Sequence, residues 1–173
     1  HGGALAQIVG TENRGLEYMF IMMNAARYGV GIQGIALAER ATQKAVAYAR
    51  DRVQSRPVDG SAREPVAVIQ HPDVRRMLLQ QKVYVEGAEH LGYYASMLVD
   101  RARDPDETVR RDSHLLLELL TPIVKGWGSD YSLKANELAV QVLGGYGFTR
   151  EYPVEQNYRD NRINPIHEGT NGI

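Results

Sequence analysis

HPDVRRMLLQQKVYVEGAEHLGYYASMLVDRA, residues 71–102, is the stretch that decides the fold. Val74, Met77, Leu78, Val85, Leu91, Ala95 and Leu98 form a seam with the three-to-four-residue rhythm of an amphipathic helix. Pro72 fits its first turn, where a missing N–H would be unpaired anyway. Asp104-Pro105-Asp106 closes it. Upstream, Gln54 to Ile69 reads as a loop with Pro57, Gly60, Ser61 and Pro65. Before it, Leu16, Met19, Met23, Val30, Ile35, Leu37, Ala41, Ala45 and Tyr48 mark a long helix from about Leu16 to Val53. Gly29, Gly31 and Gly34 interrupt that helix at about 1 kcal/mol each relative to Ala. Close packing against a neighbouring helix is the expected reason, and room for a ligand is the alternative. Downstream, a third helix is predicted over Glu107 to Trp127 and a fourth over Ser129 to Leu143, ending at Gly144-Gly145-Tyr146-Gly147. Phe148 to Pro165 reads as irregular, with a new helix starting near Glu168. Ala4 to Val9 is a candidate terminal strand. Long helices joined by short connections predict an all-α, antiparallel, four-helix-bundle-like domain.

The bulk numbers narrow the function classes. A hydrophobic share of 43% and a charged share of 24% are those of an ordinary globular chain. A net charge of −1 provides no general field for nucleic acid or anionic lipid. Sixteen of the 20 cationic residues are Arg, so local anion sites remain open. The absence of cysteine excludes disulfides, thiolate metal sites and a Cys nucleophile, and fits a reducing compartment. The apolar run Tyr18 to Met23 is far short of the ~20 residues that span a membrane. The chain opens abruptly at His1 and stops at Ile173 straight after Gly-Thr-Asn-Gly, which predicts a piece of a longer protein.

Zinc, serine-elbow and phosphate-loop spacings are absent, and none of the five histidines has a helically spaced second ligand. Three segments are richer than a plain bundle needs. The first is Ala25-Ala26-Arg27 with Arg52 further along the same helix. The second is Gln141 to Phe148, and the third runs from Tyr158-Arg159-Asp160 through Ile166-His167-Glu168-Gly169-Thr170. Each alone has a plain reading: solvated helix charges for the arginines, a helix C-cap and turn for the glycines, and a dipole-stabilised first-turn residue for Glu168.

In combination and order, these segments resemble the C-terminal helical domain of the acyl-CoA dehydrogenases, from about residue 14 to 173. Gln-Val-Leu-Gly-Gly-Tyr-Gly-Phe (141–148) and the closing Glu-Gly-Thr carry the likeness. Ile69 to Leu78 and Asn164 to Ile173 look closest to the bacterial branch that includes 3-methylmercaptopropionyl-CoA dehydrogenase. Residues 1–13 are then expected to be the last strand of a preceding β-domain.

The resemblance implies oxidation of an acyl-CoA thioester to a trans-2-enoyl-CoA with FAD as cofactor. Glu168 occupies the place of the family's base. Some members carry the base on the first helix, where this chain has Ala26, so Glu168 is the family-type base on offer. The resemblance further implies that Asn24, Arg27 and Gly169 meet substrate. Arg52, Val53, Gln54, Gln70, His71, Gln141, Val142, Leu143, Gly144, Gly145, Thr170, Asn171 and Gly172 are expected along FAD, with Arg52 on its pyrophosphate. The loop before Gln70 and His71 is longer than is typical. Gly172 stands where many members have Gln, and His167 where Tyr is common; His167 is either a stacking residue or a local hydrogen-bonding one.

Because the family shares FAD between subunits, a homodimer or homotetramer is expected, with electron-transfer flavoprotein as acceptor and neither nucleic-acid binding nor membrane insertion. The isolated chain is expected to be inactive. A cytoplasmic location is expected in a bacterium, the mitochondrial matrix in a eukaryote. The competing readings are an acyl-CoA oxidase and a catalytically silent oligomerisation module.

Overall fold

The computed structural model describes residues 2–172. Three long helices, α1 (Gly15–Asp51), α2 (Pro72–Arg101) and α3 (Glu107–Leu143), are followed by the short α4 (Gly145–Phe148) and α5 (Val154–Asn161). The predicted all-α bundle is borne out. The early part of α1 meets the late part of α2, the Tyr28 hydroxyl donating to the Gly92 carbonyl at 3.1 Å. The late part of α1 meets the early part of α2, where Ala45 and Ala49 share a core with Met77 and Leu78. These two helices are therefore antiparallel. α3 returns alongside both, parallel to α1, and α5 runs back down the α1–α3 seam.

The buried face of α1 is made of small residues. Gly31, Gly34, Ala38, Ala41, Ala45 and Ala49 are all buried, at helical spacing. Small side chains let the backbones of α1 and α3 approach closely. A Cβ on Gly31 would lie 2.9 Å from the Val124 carbonyl oxygen, and one on Gly34 would overlap the Gly128 carbonyl oxygen. Close packing is thus the reason for these two glycines. Gly29 has open space around it.

The third and fourth predicted helices are one continuous helix, and the expected break between Trp127 and Ser129 does not occur. Two glycines cost only about 2 kcal/mol in propensity, and Gly128 sits in the α1 contact, where the helix is held by its neighbour. Pro122 lies on the exposed side of α3, where solvent can reach the carbonyl it leaves free. Asp106 caps the start, its carboxylate accepting from the N–H groups of Thr108 at 2.8 Å and Val109 at 3.1 Å.

The tail also departs from expectation. Phe148 to Pro165 contains α5, whose inner face is Val154, Asn157 and Asn161, continued by Asn164, all essentially inaccessible. Asn161 donates to Asn136 of α3 at 2.5 Å, Asn164 donates to Asn161 at 2.8 Å, and Asn136 donates to the Leu37 carbonyl of α1 at 3.2 Å. This chain of amides ties α5 to both long helices. Glu168 opens no helix. It stands in a turn at φ 51, followed by Gly169 at φ 85. Ala4 to Val9 is exposed and irregular, because a lone strand finds no partner for its backbone groups among the described residues.

Candidate functional site

Two clusters gather most of the residues singled out in the sequence. The first joins the early part of α1 to the Glu168 turn. A Cβ on Gly169 would lie 2.5 Å from Arg27 Nε, so the turn packs directly on the Arg27 side chain. The positive φ at Gly169 reinforces the need for glycine. Arg27 also lies 5.8 Å from the centroid of the Phe20 ring. Phe20, Ile21, Asn24, Tyr28, Leu117 and Thr121 line an adjoining cavity of about 670 Å³ between α1 and α3. Glu168 itself is exposed. Among the described residues nothing accepts its backbone N–H, and no carboxylate is within ion-pair distance of Arg27.

The turn is fastened on both sides of Glu168. His167 Nδ1 donates to the Ile163 carbonyl at 2.8 Å, a local hydrogen bond. The Thr170 hydroxyl donates to the Ile166 carbonyl at 2.5 Å, and the Asn171 N–H to the Pro165 carbonyl at 3.1 Å. The Asn171 side chain reaches α3, where it meets Lys125, Ser129 and Asp130. Sequence reasoning missed these three. Lys125 was detectable, being a charged residue in the register of the buried Thr121, Gly128, Ser129 and Ser132.

The second cluster forms at the far end of α1. An antiparallel bridge joins Val53 to Ala67, the Gln54 N–H donates to the Val66 carbonyl at 2.9 Å, and the Val68 N–H to the Arg52 carbonyl at 2.7 Å. His71 Nε2 donates to the Gln54 carbonyl at 2.8 Å. Arg52, Val53, Gln54, Gln70 and His71 are thereby brought together although the loop separates them in sequence. The Arg52 guanidinium lies 5.4 Å from the centroid of Tyr146, beside Tyr48 and Tyr152. Burial raises the Tyr48 phenol above its ordinary value, with Arg52 partly offsetting it. Among the described residues no carboxylate pairs with Arg52.

Gly144 ends α3 at φ 61 and ψ −136, a backbone outside the αL well of the usual glycine cap and one that glycine adopts without a Cβ penalty. Among the described residues a Cβ on either Gly144 or Gly145 would meet nothing, and only Gly144 has a positive φ. Gln141, Gly144 and Gly145 are exposed beside Arg52's partner Tyr146, whereas the side chains of Val142 and Leu143 belong to the core. Those two residues can offer an outside ligand only their backbone.

The family model described as "Acyl-CoA dehydrogenase, C-terminal domain" matches residues 13–173. The chain belongs to the acyl-CoA dehydrogenase family. It is 50% identical over 173 residues to 3-methylmercaptopropionyl-CoA dehydrogenase of Ruegeria pomeroyi, covering 100% of this chain and 29% of that protein. Against butyryl-CoA dehydrogenase of Megasphaera elsdenii the TM-score is 0.77 at 28% identity, over 94% of this chain and 37% of that one. Against glutaryl-coenzyme A dehydrogenase in complex with glutaryl-CoA it is 0.79 at 25% identity, over 96% and 37%. The chain thus spans less than two fifths of the length of these acyl-CoA dehydrogenases.

Proposed function

We propose that this domain works within a longer FAD-dependent acyl-CoA dehydrogenase, in which Glu168 removes the α-proton of an acyl-CoA thioester. The observation that carries the reading is the packing of Gly169 on Arg27, which brings the Glu168 turn against the stretch of α1 that also carries Asn24. The exposure of Glu168 in this chain fits a carboxylate waiting to be covered by substrate and by further parts of the protein. The branch that includes 3-methylmercaptopropionyl-CoA dehydrogenase is favoured by the 50% identity over the whole chain. Residues 1–13 are read as the end of a preceding β-domain.

The α C–H of a thioester is a weak acid, so its removal needs both a base and a stabilised enolate. Glu168 takes the proton, and its unpaired N–H is available to the thioester oxygen. Gly169 leaves room against Arg27. Asn24 and Arg27 orient the CoA thioester from α1. When bound, FAD supplies a hydride acceptor for the β-carbon, and the trans-2-enoyl thioester results.

The second cluster fits a dinucleotide. Arg52 is a cation without a carboxylate partner, suited to a pyrophosphate. Gly144 and Gly145 leave space that nothing among the described residues fills. Gln54, Gln70, His71, Gln141 and Gly144 are assigned to the same cofactor. Thr170 and Gly172 are assigned to FAD at the other cluster. Arg27 and Arg52 are 25 residues apart along α1, about 37 Å at 1.5 Å per residue. That exceeds the reach of one extended dinucleotide, which supports two chains completing each FAD site, in a homodimer or homotetramer. Arg52→Ala in the full-length protein is expected to weaken FAD retention about tenfold or more. The flavin-to-protein absorbance ratio after gel filtration measures this, and an unchanged ratio removes Arg52 from the cofactor site.

The reaction itself is tested by adding a panel of acyl-CoA thioesters to the full-length yellow protein. Bleaching of the flavin band within the turnover time by at least one of them is expected. A colourless protein, or one no thioester bleaches, would favour the silent oligomerisation module. Electron-transfer flavoprotein is the proposed acceptor, and rapid oxygen consumption on reoxidation would point to the oxidase reading instead.

A further inference from the structure

We propose that Lys125, through Asn171, is a positioning residue for the proposed base, fixing the turn that aims Glu168. The inference rests on the reading of Glu168 given above. Lys125 lies on α3 and is only 2% exposed. Its ammonium donates to Asn171 Oδ1 at 2.8 Å. The Asn171 amide nitrogen donates in turn to Ser129 Oγ at 2.7 Å and to Asp130 Oδ1 at 2.8 Å. Ser129 spends its own proton on the Lys125 carbonyl at 2.7 Å, so its oxygen is free to accept. One turn of α3 thus presents a cation to the amide oxygen and two acceptors to the amide nitrogen. Only one orientation of the amide satisfies all three.

Asn171 itself stands at the surface, three residues after Glu168, and its N–H closes back on Pro165. Gly169 meanwhile rests on Arg27 of α1. Glu168 therefore sits in a turn tied to α3 three residues on, at the Asn171 side chain, and packed against α1 at Gly169.

A buried ammonium is an expensive way to hold a turn. Burial lowers the Lys125 pKa; Asp130 partly offsets that, and Arg27 deepens it. A well-packed apolar side chain at such a position often costs less than a buried charge. A purely structural role therefore gives no reason for the lysine, whereas orienting an amide that carries the base's turn does.

The test uses the full-length FAD-loaded protein and its apo form, with Lys125→Met, Asn171→Ala, the double variant and Glu168→Gln side by side. In Lys125→Met, kcat is expected to fall at least tenfold with FAD content and melting temperature unchanged or raised. The double variant should lose no more than the worse single one, because both act through one bond. In the apo form, amide exchange over residues 166–171 should accelerate tenfold or more, while α1 keeps its protection. Unchanged exchange overturns the proposal. So does faster exchange with wild-type kcat, provided Glu168→Gln is inactive. If Lys125→Met fails to fold, Asn171→Ala, which alters a surface residue, gives the same two readouts. If Glu168→Gln turns over normally, the base assignment falls instead, and the exchange rates still decide whether Lys125 holds the turn.

Discussion

Glu168→Gln in the full-length protein is expected to keep its flavin and to lose bleaching by acyl-CoA at least ~10²-fold, the lower end of what removing a general base costs. In free-energy terms this is about 2.7 kcal/mol of transition-state stabilisation. The substitution is nearly isosteric, so packing of the turn on Arg27 survives and the positive φ at residue 168 is no worse for Gln than for Glu. On the proposed reading, what is lost is the carboxylate that takes the α-proton, with Ala at position 26 offering no substitute. FAD retention separates a chemical defect from a folding one. A carboxylate beneath an acyl chain becomes a better base because desolvation disfavours its charged form. Restoring the carboxylate as Glu168→Asp should recover only part of the rate, the oxygen being one methylene too short. Bleaching by Glu168→Gln within threefold of wild type would end the base assignment.

How much of this was legible follows from where the signals lie. The seam of α2 was readable because its buried positions, Gln81 apart, lack polar side chains and are regularly spaced. The inner face of α5 has the same spacing, but it is made of Asn157, Asn161 and Asn164, so hydrophobic periodicity passes over it. Its stability comes from amide bonds to Asn136, a tertiary partner with no local trace. The single α3 was split in two for a related reason: Gly126 and Gly128 are breakers in isolation, and only the facing α1 shows that the helix continues. Arg27 and Glu168 could be picked out by motif, yet the packing of the Glu168 turn on Arg27 depends on a left-handed turn at Glu168 and Gly169 that has no sequence period. His71 joins Gln54 across a loop whose length gave no hint of the bridge at Val53. Lys125 was passed over because a lysine in a helix is ordinarily solvated.

Gly34→Ala is the second substitution with a large expected effect, and two opposing forces decide its sign. Helix propensity favours it, since Ala is better than Gly inside a helix by about 1 kcal/mol. Packing opposes it. The added Cβ would fall inside the van der Waals shell of the Gly128 carbonyl oxygen and 3.3 Å from Asn161 Oδ1. The first of these is backbone in a continuous helix, so no rotamer change relieves the overlap; α1 and α3 must move apart. Overpacking of a close-packed contact costs about 1–3 kcal/mol even where side chains can yield. The net expectation is therefore a loss of roughly 2 kcal/mol or more, read as a lower midpoint in urea unfolding. Gly29→Ala is the matched control, in the same helix with open space around it, and should gain about 1 kcal/mol from propensity alone. The separation also reaches the candidate site. Gly128 is three residues from Lys125 and two from Asp130, so displacing α3 draws the Asn171 anchor away from Arg27 and loosens the turn between them. Gly34→Ala should thus lower kcat as well as stability, whereas Gly29→Ala should leave kcat unchanged. If both variants behave alike, the helix contact at Gly34 does not set the distance between the two anchors of the Glu168 turn.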